Sequence, residues 1–194
     1  MRLISWIRII LFIVFTFHEI LCMANENHLI IDGHDGDTYQ TGLAGSWRLV
    51  TDTVMGGLSK GVLTMDNIEN RSCLRLSGEV KLENNGGFIQ TGLDLTSEEM
   101  VDAHNFTGFV LELYGNDKAY NIHLRTHDLL FPWQSYRTSF IAKKEWRTFK
   151  FPFSDFQKHR TDKSFNTGKL KRVGLVAIGR KFYADICIGL IGFY

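Results

Sequence analysis

Apolar and polar positions alternate with a period of two along most of this chain. Leu74 and Leu76 alternate with Arg75 and Ser77, the pattern of a half-buried strand. Phe109, Leu111 and Leu113 repeat it, and so do Tyr136, Thr138 and Phe140, then Phe149, Phe151 and Phe153. Tyr120, Ile122 and Leu124 alternate with Asn121, His123 and Arg125, so this strand has one apolar face and one face equipped for polar groups. The run 173–178 is apolar at every position and predicts a central strand. The run 184–194 predicts a last strand, and Pro152 predicts a sheet edge or a strand end. Short strands are also expected at 29–31, 47–54 and 61–65.

Glycine pairs punctuate the pattern. Asp52 precedes Met55, Gly56, Gly57 and Ser59; paired glycines permit positive φ or close backbone approach, and the upstream Asp can accept hydrogen bonds from turn N–H groups. Asn84-Asn85-Gly86-Gly87 carries the Asn-Gly signal of a type I′ hairpin. Two readings stand at this point. Either both turns are plain hairpins, or Asp52, Met55, Gly56, Gly57, Asn85 and Gly86 lie side by side as a surface for a partner. Thr96 with Glu99 forms a capping box and predicts a helix of two or three turns, and Ser154-Asp155-Phe156 predicts one helical turn. Nine or ten strands with short, regular turns give two antiparallel sheets packed face to face, a sandwich or jelly roll with one or two short helices.

Composition agrees with an all-β chain: 194 residues with 18 glycines, 2 prolines and 13% aromatics. Arg2 and Arg8 precede an apolar run over 9–17 that His18 and Glu19 end. That run is too short to span a bilayer, and with Ala24 it fits a signal peptide over 1–24. Cleavage before Asn25 leaves about 170 residues, enough to bury roughly 70% of the unfolded surface. The expectation is one β-sandwich domain over 25–194, periplasmic or secreted; a leader that stays uncleaved and tethers the chain is the alternative. Charge is uneven: 25–117 holds 5 basic and 15 acidic residues, 141–181 holds 12 basic and 3 acidic. Such asymmetry either makes a basic patch or is neutralised across neighbouring strands. After the leader two cysteines remain, Cys73 and Cys187, either bridged in an oxidising compartment or buried as free thiols.

Catalytic and metal patterns are thin. Asp32, Asp35 and Asp37 among glycines resemble a calcium loop in composition but lack EF-hand spacing; a solvated turn is expected. His123 and His127 have helical zinc spacing, yet on a strand they stand about 13 Å apart. No Walker or dinucleotide motif is present. We therefore expect no enzyme, no cofactor, no metal and no nucleic-acid partner. Trp133 and Gln134, with Asn121, His123 and Arg125, have the aromatic and hydrogen-bonding character of a sugar platform; alternatively Trp133 closes the core under its loop and Arg125 pairs with an acid.

Four stretches together resemble the complex I intermediate-associated protein 30 family. They are Trp47 with Asp52-Thr-Val-Met55-Gly56-Gly57-Leu-Ser59; Gly78 with Asn85-Gly86-Gly87-Phe88; 120–125 with Trp133-Gln134; and Trp146 with Phe151-Pro-Phe-Ser-Asp-Phe156. The resemblance runs from Trp47 to the C-terminus. It implies a galactose-binding-like β-sandwich and a non-catalytic, chaperone-like partner in the assembly of respiratory NADH dehydrogenase, a membrane complex. It marks Trp47, Asp52, Met55, Gly56, Gly57, Ser59, Asn85, Gly86, Gly87, Arg125, Trp133 and Gln134 as candidates for contact with a protein partner or, alternatively, an extracytoplasmic carbohydrate. The mitochondrial members work in the matrix; the leader of this chain predicts the other side of a membrane.

Overall fold

Period-two patterning folds the described residues of this chain into twelve strands. The computed structural model describes residues 28–34, 44–95 and 101–194. The strands are β1 (Leu29–Gly33), β2 (Ala44–Thr51), β3 (Lys60–Ile68), β4 (Arg71–Val80), β5 (Phe88–Leu95), β6 (Gly108–Tyr114), β7 (Lys118–Thr126), β8 (Ser135–Ala142), β9 (Arg147–Pro152), β10 (Gln157–His159), β11 (Leu170–Ile178) and β12 (Phe182–Phe193). One sheet runs β3-β4-β12-β6-β9 with β1 added on β12; the other runs β10-β8-β7-β11-β5-β2. Every pairing is antiparallel. This is the antiparallel β-sandwich expected from the alternation.

The core lies between the sheets. Leu76, Ile186, Phe109 and Leu111 from one sheet meet Ile89, Leu93, Tyr120, Ile122, Leu124 and Leu175 from the other. Burying such side chains contributes roughly 1.5–3 kcal/mol each. The run 173–178 is apolar throughout because β11 sits inside its sheet, between β7 and β5. Pro152 ends β9, the edge strand, where its missing N–H disturbs no ladder. Cys73 and Cys187 form a disulfide across β4 and β12, with a Cα–Cα distance of 5.6 Å. Of the two fates open to these cysteines, the bridge is the one seen.

Some expectations need correction. The strand count is twelve because short pieces such as β10 carry too few positions to show a period. Neither glycine turn is a hairpin: β2 and β3 lie in different sheets, as do β4 and β5. Each turn carries the chain from one sheet to the other. The left-handed backbone at the second turn is nevertheless present, at Asn84 (φ 58°) and Asn85 (φ 56°). Helical structure among the described residues is confined to four single 3-10 turns, one at Phe153–Asp155. The leader over 1–24, Asp35, Asp37 and the capping box at 96–99 lie outside the described residues; Val101 pairs with Leu170 in an isolated bridge. No helix among the described residues is long and apolar enough to cross a membrane.

Candidate functional site

Asp52 ties the two sheet-crossing turns together. Its side chain is fully buried. Oδ1 accepts from the backbone N–H of Ser59 (2.9 Å), and Oδ2 accepts from Ser59 Oγ (2.5 Å), Gly87 N (2.6 Å) and Phe88 N (3.3 Å). Burial, the largest single influence, raises the Asp52 pKa; the hydroxyl of Ser59 and the N–H groups of Gly87, Ser59 and Phe88 together outweigh it and hold the carboxyl below the ordinary value. Gly57 and Gly86 leave room for this carboxylate. A Cβ at Gly57 would fall on it, and one at Gly86 would stand 2.5 Å from Oδ2. Gly56 has a left-handed backbone, φ 87°, and its carbonyl accepts from Asn84 Nδ2 at 3.2 Å. Asp52, Ser59, Gly57, Gly86 and Gly87 therefore form a knot, and Gly56 and the Asn84-Asn85 turn lie against it.

The knot displays apolar side chains. Val54 is 71% exposed and Met55 64%, and Leu58 and Leu82 are exposed beside the same turns. Large apolar side chains exposed together beside one pair of turns are candidates for contact with a partner. Met55 was legible as part of the motif. Val54, Leu58 and Leu82 were not, because three apolar letters around a turn do not tell which point outward.

A second site lies on the outer face of the β10–β2 sheet. Register places Gln157, Arg137, His123, Gly174, Gly92 and Arg48 in one row across all six strands. A flanking row holds Ser139, Asn121, Val176, Gln90 and Val50. On the other side Arg125 faces Arg172, which faces Asp94. The paired glycines let the Gln90 side chain lie flat: a Cβ at Gly174 would stand 2.9 Å from Gln90 Nε2, and one at Gly92 3.2 Å. Beside it a shallow recess of about 230 Å3 is bounded by Arg48, Leu49, Val50, Gln90, Gly92 and Arg172.

Electrostatics on this face are uneven. Arg48 and Arg172 share the single carboxylate of Asp94. Arg137 donates from Nε to Ser135 Oγ at 2.8 Å, and no carboxylate pairs with it among the described residues. Burial, with Arg160 nearby, lowers its pKa to about 10. His123 is 8% exposed and its Nε2 has no hydrogen-bond partner. Burial first, then Arg137 and His159, push its pKa down to about 3, so the ring is neutral. The outer face of the opposite sheet is neutralised instead: Arg75 bonds both Asp185 and Asp66, and Arg71 pairs with Glu112.

Arg125 does not pair with an acid. Its guanidinium donates to the carbonyls of Leu129 (3.3 Å) and Phe131 (3.0 Å), anchoring the β7–β8 loop to the sheet face. In that loop Phe131 and Trp133 stack with ring centres 4.9 Å apart and planes 3° off parallel, and both are about half exposed. Trp133 thus does not close the core. Gln134 Oε1 accepts from Phe131 N at 3.0 Å and shapes the turn. Trp47 packs against the core and donates from Nε1 to Asp32 (2.5 Å), far from Trp133 in role. No cluster of His, Cys, Asp or Glu able to hold a metal occurs among the described residues. Arg137 and His159 escaped attention in the sequence: the alternation marks Arg137 as outward-facing, β10 is too short to mark His159 at all, and neither shows that it neighbours His123.

Among solved structures the fold is similar to the family 11 carbohydrate-binding module from Clostridium thermocellum in complex with a β-1,3-1,4-mixed-linked tetrasaccharide. Identity is 11%, the TM-score 0.66, and 86% of this chain and 94% of that one are covered. A family 30 carbohydrate-binding module aligns with TM-score 0.61 and 12% identity over 86% of this chain and 98% of the other. At such identity the likeness is one of fold. No curated protein matches the chain. Residues 38–186, which hold both turns of the Asp52 knot and the whole arginine-bearing sheet, match the model of complex I intermediate-associated protein 30, and the chain belongs to that family.

Proposed function

We propose that this protein is a non-catalytic interaction module that docks on a protein of a membrane complex through Val54, Met55, Leu58 and Leu82. One observation carries the reading: these large apolar side chains are held out to solvent on a knot built around a buried carboxylate. Such a surface is ordered before contact, which lowers the entropic cost of binding. Family membership supports a partner of the complex I assembly kind, since the family's description names association with a complex I intermediate. A photo-crosslinking residue at Met55 tests it, with membranes resolved by native electrophoresis. A crosslink to a subunit of one respiratory complex, lost in Leu58→Asp at unchanged thermal stability, supports the reading; crosslinking to no membrane protein counts against it.

A second reading, carbohydrate binding, is favoured by the exposed Phe131–Trp133 stack beside a polar sheet face. The structural neighbours, which are carbohydrate-binding modules, support it by fold alone. A glycan array with wild type and Trp133→Ala is its test. For location we propose export by the leader at 1–24, supported by the Cys73–Cys187 bridge, a bond of oxidising compartments. Identification of a mature N-terminus at Asn25 in an extracytoplasmic fraction would support it; a cytoplasmic chain with reduced cysteines would end it.

A further inference from the structure

The outer face of the β10–β2 sheet holds more positive charge than its own acids neutralise. Among the described residues, Arg48, Arg125, Arg137 and Arg172 share that face with one carboxylate, Asp94. Arg137 is the clearest case. It is half-buried, has no anionic partner among the described residues, and stands across the strand pair from His123, whose buried Nε2 is also unpartnered there. Desolvating a cation without a counter-charge is costly, and so is burying an unpaired ring nitrogen. The unneutralised Arg137 guanidinium, which reaches the surface, is explained when an anionic ligand completes it.

The shape of the face says what kind of ligand. Its central row crosses six strands, about 24 Å at the usual interstrand spacing, and its middle is lowered by Gly174 and Gly92. Amide and hydroxyl groups flank the row at Gln90, Asn121 and Ser139, and Gln157 ends it. The Phe131–Trp133 stack stands on the loop that Arg125 anchors. A long, shallow, polar strip with an aromatic rim suits a chain of hydroxyl-bearing rings better than a globular protein surface, which would bring apolar anchors to an apolar centre. Its arginines suit carboxylates.

We propose that this face binds an acidic oligosaccharide, a uronate chain, with one sugar carboxylate received by Arg137. The proposal rests on the carbohydrate reading above and narrows it to charged glycans. It is independent of docking through Met55.

The test is calorimetric titration of the protein with galacturonate oligomers, neutral cello-oligosaccharides and polyglutamate, for wild type and Arg137→Met. The uronate oligomers bind wild type at least about tenfold more tightly than either other probe, and added salt weakens them. Arg137→Met loses at least about tenfold of that affinity while melting at the same or a higher temperature, because an unpaired buried charge has been removed. A merely structural arginine would lower the melting temperature on removal. Neutral glycans binding as well as uronates would overturn the proposal and leave the carbohydrate reading standing. Binding of polyglutamate as strong as that of uronates would reduce the face to a generic polyanion site and overturn it too. Binding to no glycan at all would overturn both.

Discussion

Asp52 Oδ2 accepts a 2.6 Å hydrogen bond from the backbone N–H of Gly87, 35 positions further along the chain. That bond joins two connections that each cross between the sheets, so the carboxylate sets how the sandwich edges meet. Asp52→Asn keeps the volume but turns an amide donor toward at least one of the N–H groups it faces. The expected loss is roughly 2–4 kcal/mol in urea unfolding. Gly57→Ala is expected to destabilise as well, since its Cβ falls on the same carboxyl. Unchanged unfolding midpoints in both variants would show that the knot is not what holds these turns.

The Cys73–Cys187 bridge closes a separation of 114 positions. In the chain-entropy account, a loop of that size stabilises by about 4–5 kcal/mol. Adding a reductant, or the double change to serine, should therefore lower the melting temperature markedly with the strands intact. Circular dichroism with and without dithiothreitol measures both at once. Equal melting temperatures would mean that the thiols are free in solution.

Strand faces were legible in the sequence wherever a strand was long enough to show its period. The face carrying Asn121, His123 and Arg125 is an instance, and the apolar run 173–178 took its central place. The glycine turns were legible as turns but not as sheet crossings, because a turn's letters fix its backbone and not its neighbours. The pairing of Gly56-Gly57 with Gly86-Gly87 depends on Asp52 reaching Gly87 and Phe88, a long-range contact with no local trace. Charge asymmetry offered neutralisation across strands or a basic patch from 141–181, and neutralisation across strands is what the ion pairs show. Arg75, Arg71, Arg48 and Arg172 find acids on other strands, while Arg137 does not.

His123 supplies a pH dependence whose sign is fixed. Its folded pKa is about 3, well below the usual 6.5 of the unfolded chain. Below pH 6.5 the unfolded state takes up a proton that the folded state refuses, so stability falls as pH drops from about 6.5 toward 3. The loss over that window is on the order of a few kcal/mol. His123→Asn removes the titration, and its stability should stay flatter between pH 6.5 and 4.5. Parallel slopes for the two proteins in urea melts across that window would place the acid sensitivity elsewhere.

Arg125 separates anchoring from ligand contact. Its guanidinium reaches the carbonyls of Leu129 and Phe131, so a side chain ties the loop bearing Trp133 to the sheet face, in addition to the loop's own backbone bonds. Arg125→Met keeps much of the stem but loses both bonds, with an expected cost of roughly 1–3 kcal/mol. The loop should loosen before the sandwich does. Trp133 fluorescence anisotropy then falls and hydrogen exchange at 129–134 accelerates, while β7 and β11 amides stay protected. Trp133→Ala does the converse: a half-exposed ring is lost, stability changes by less than about 0.5 kcal/mol, and the loop keeps its protection. If both variants loosen the loop equally, the Phe131–Trp133 stack and not Arg125 is what holds it in place.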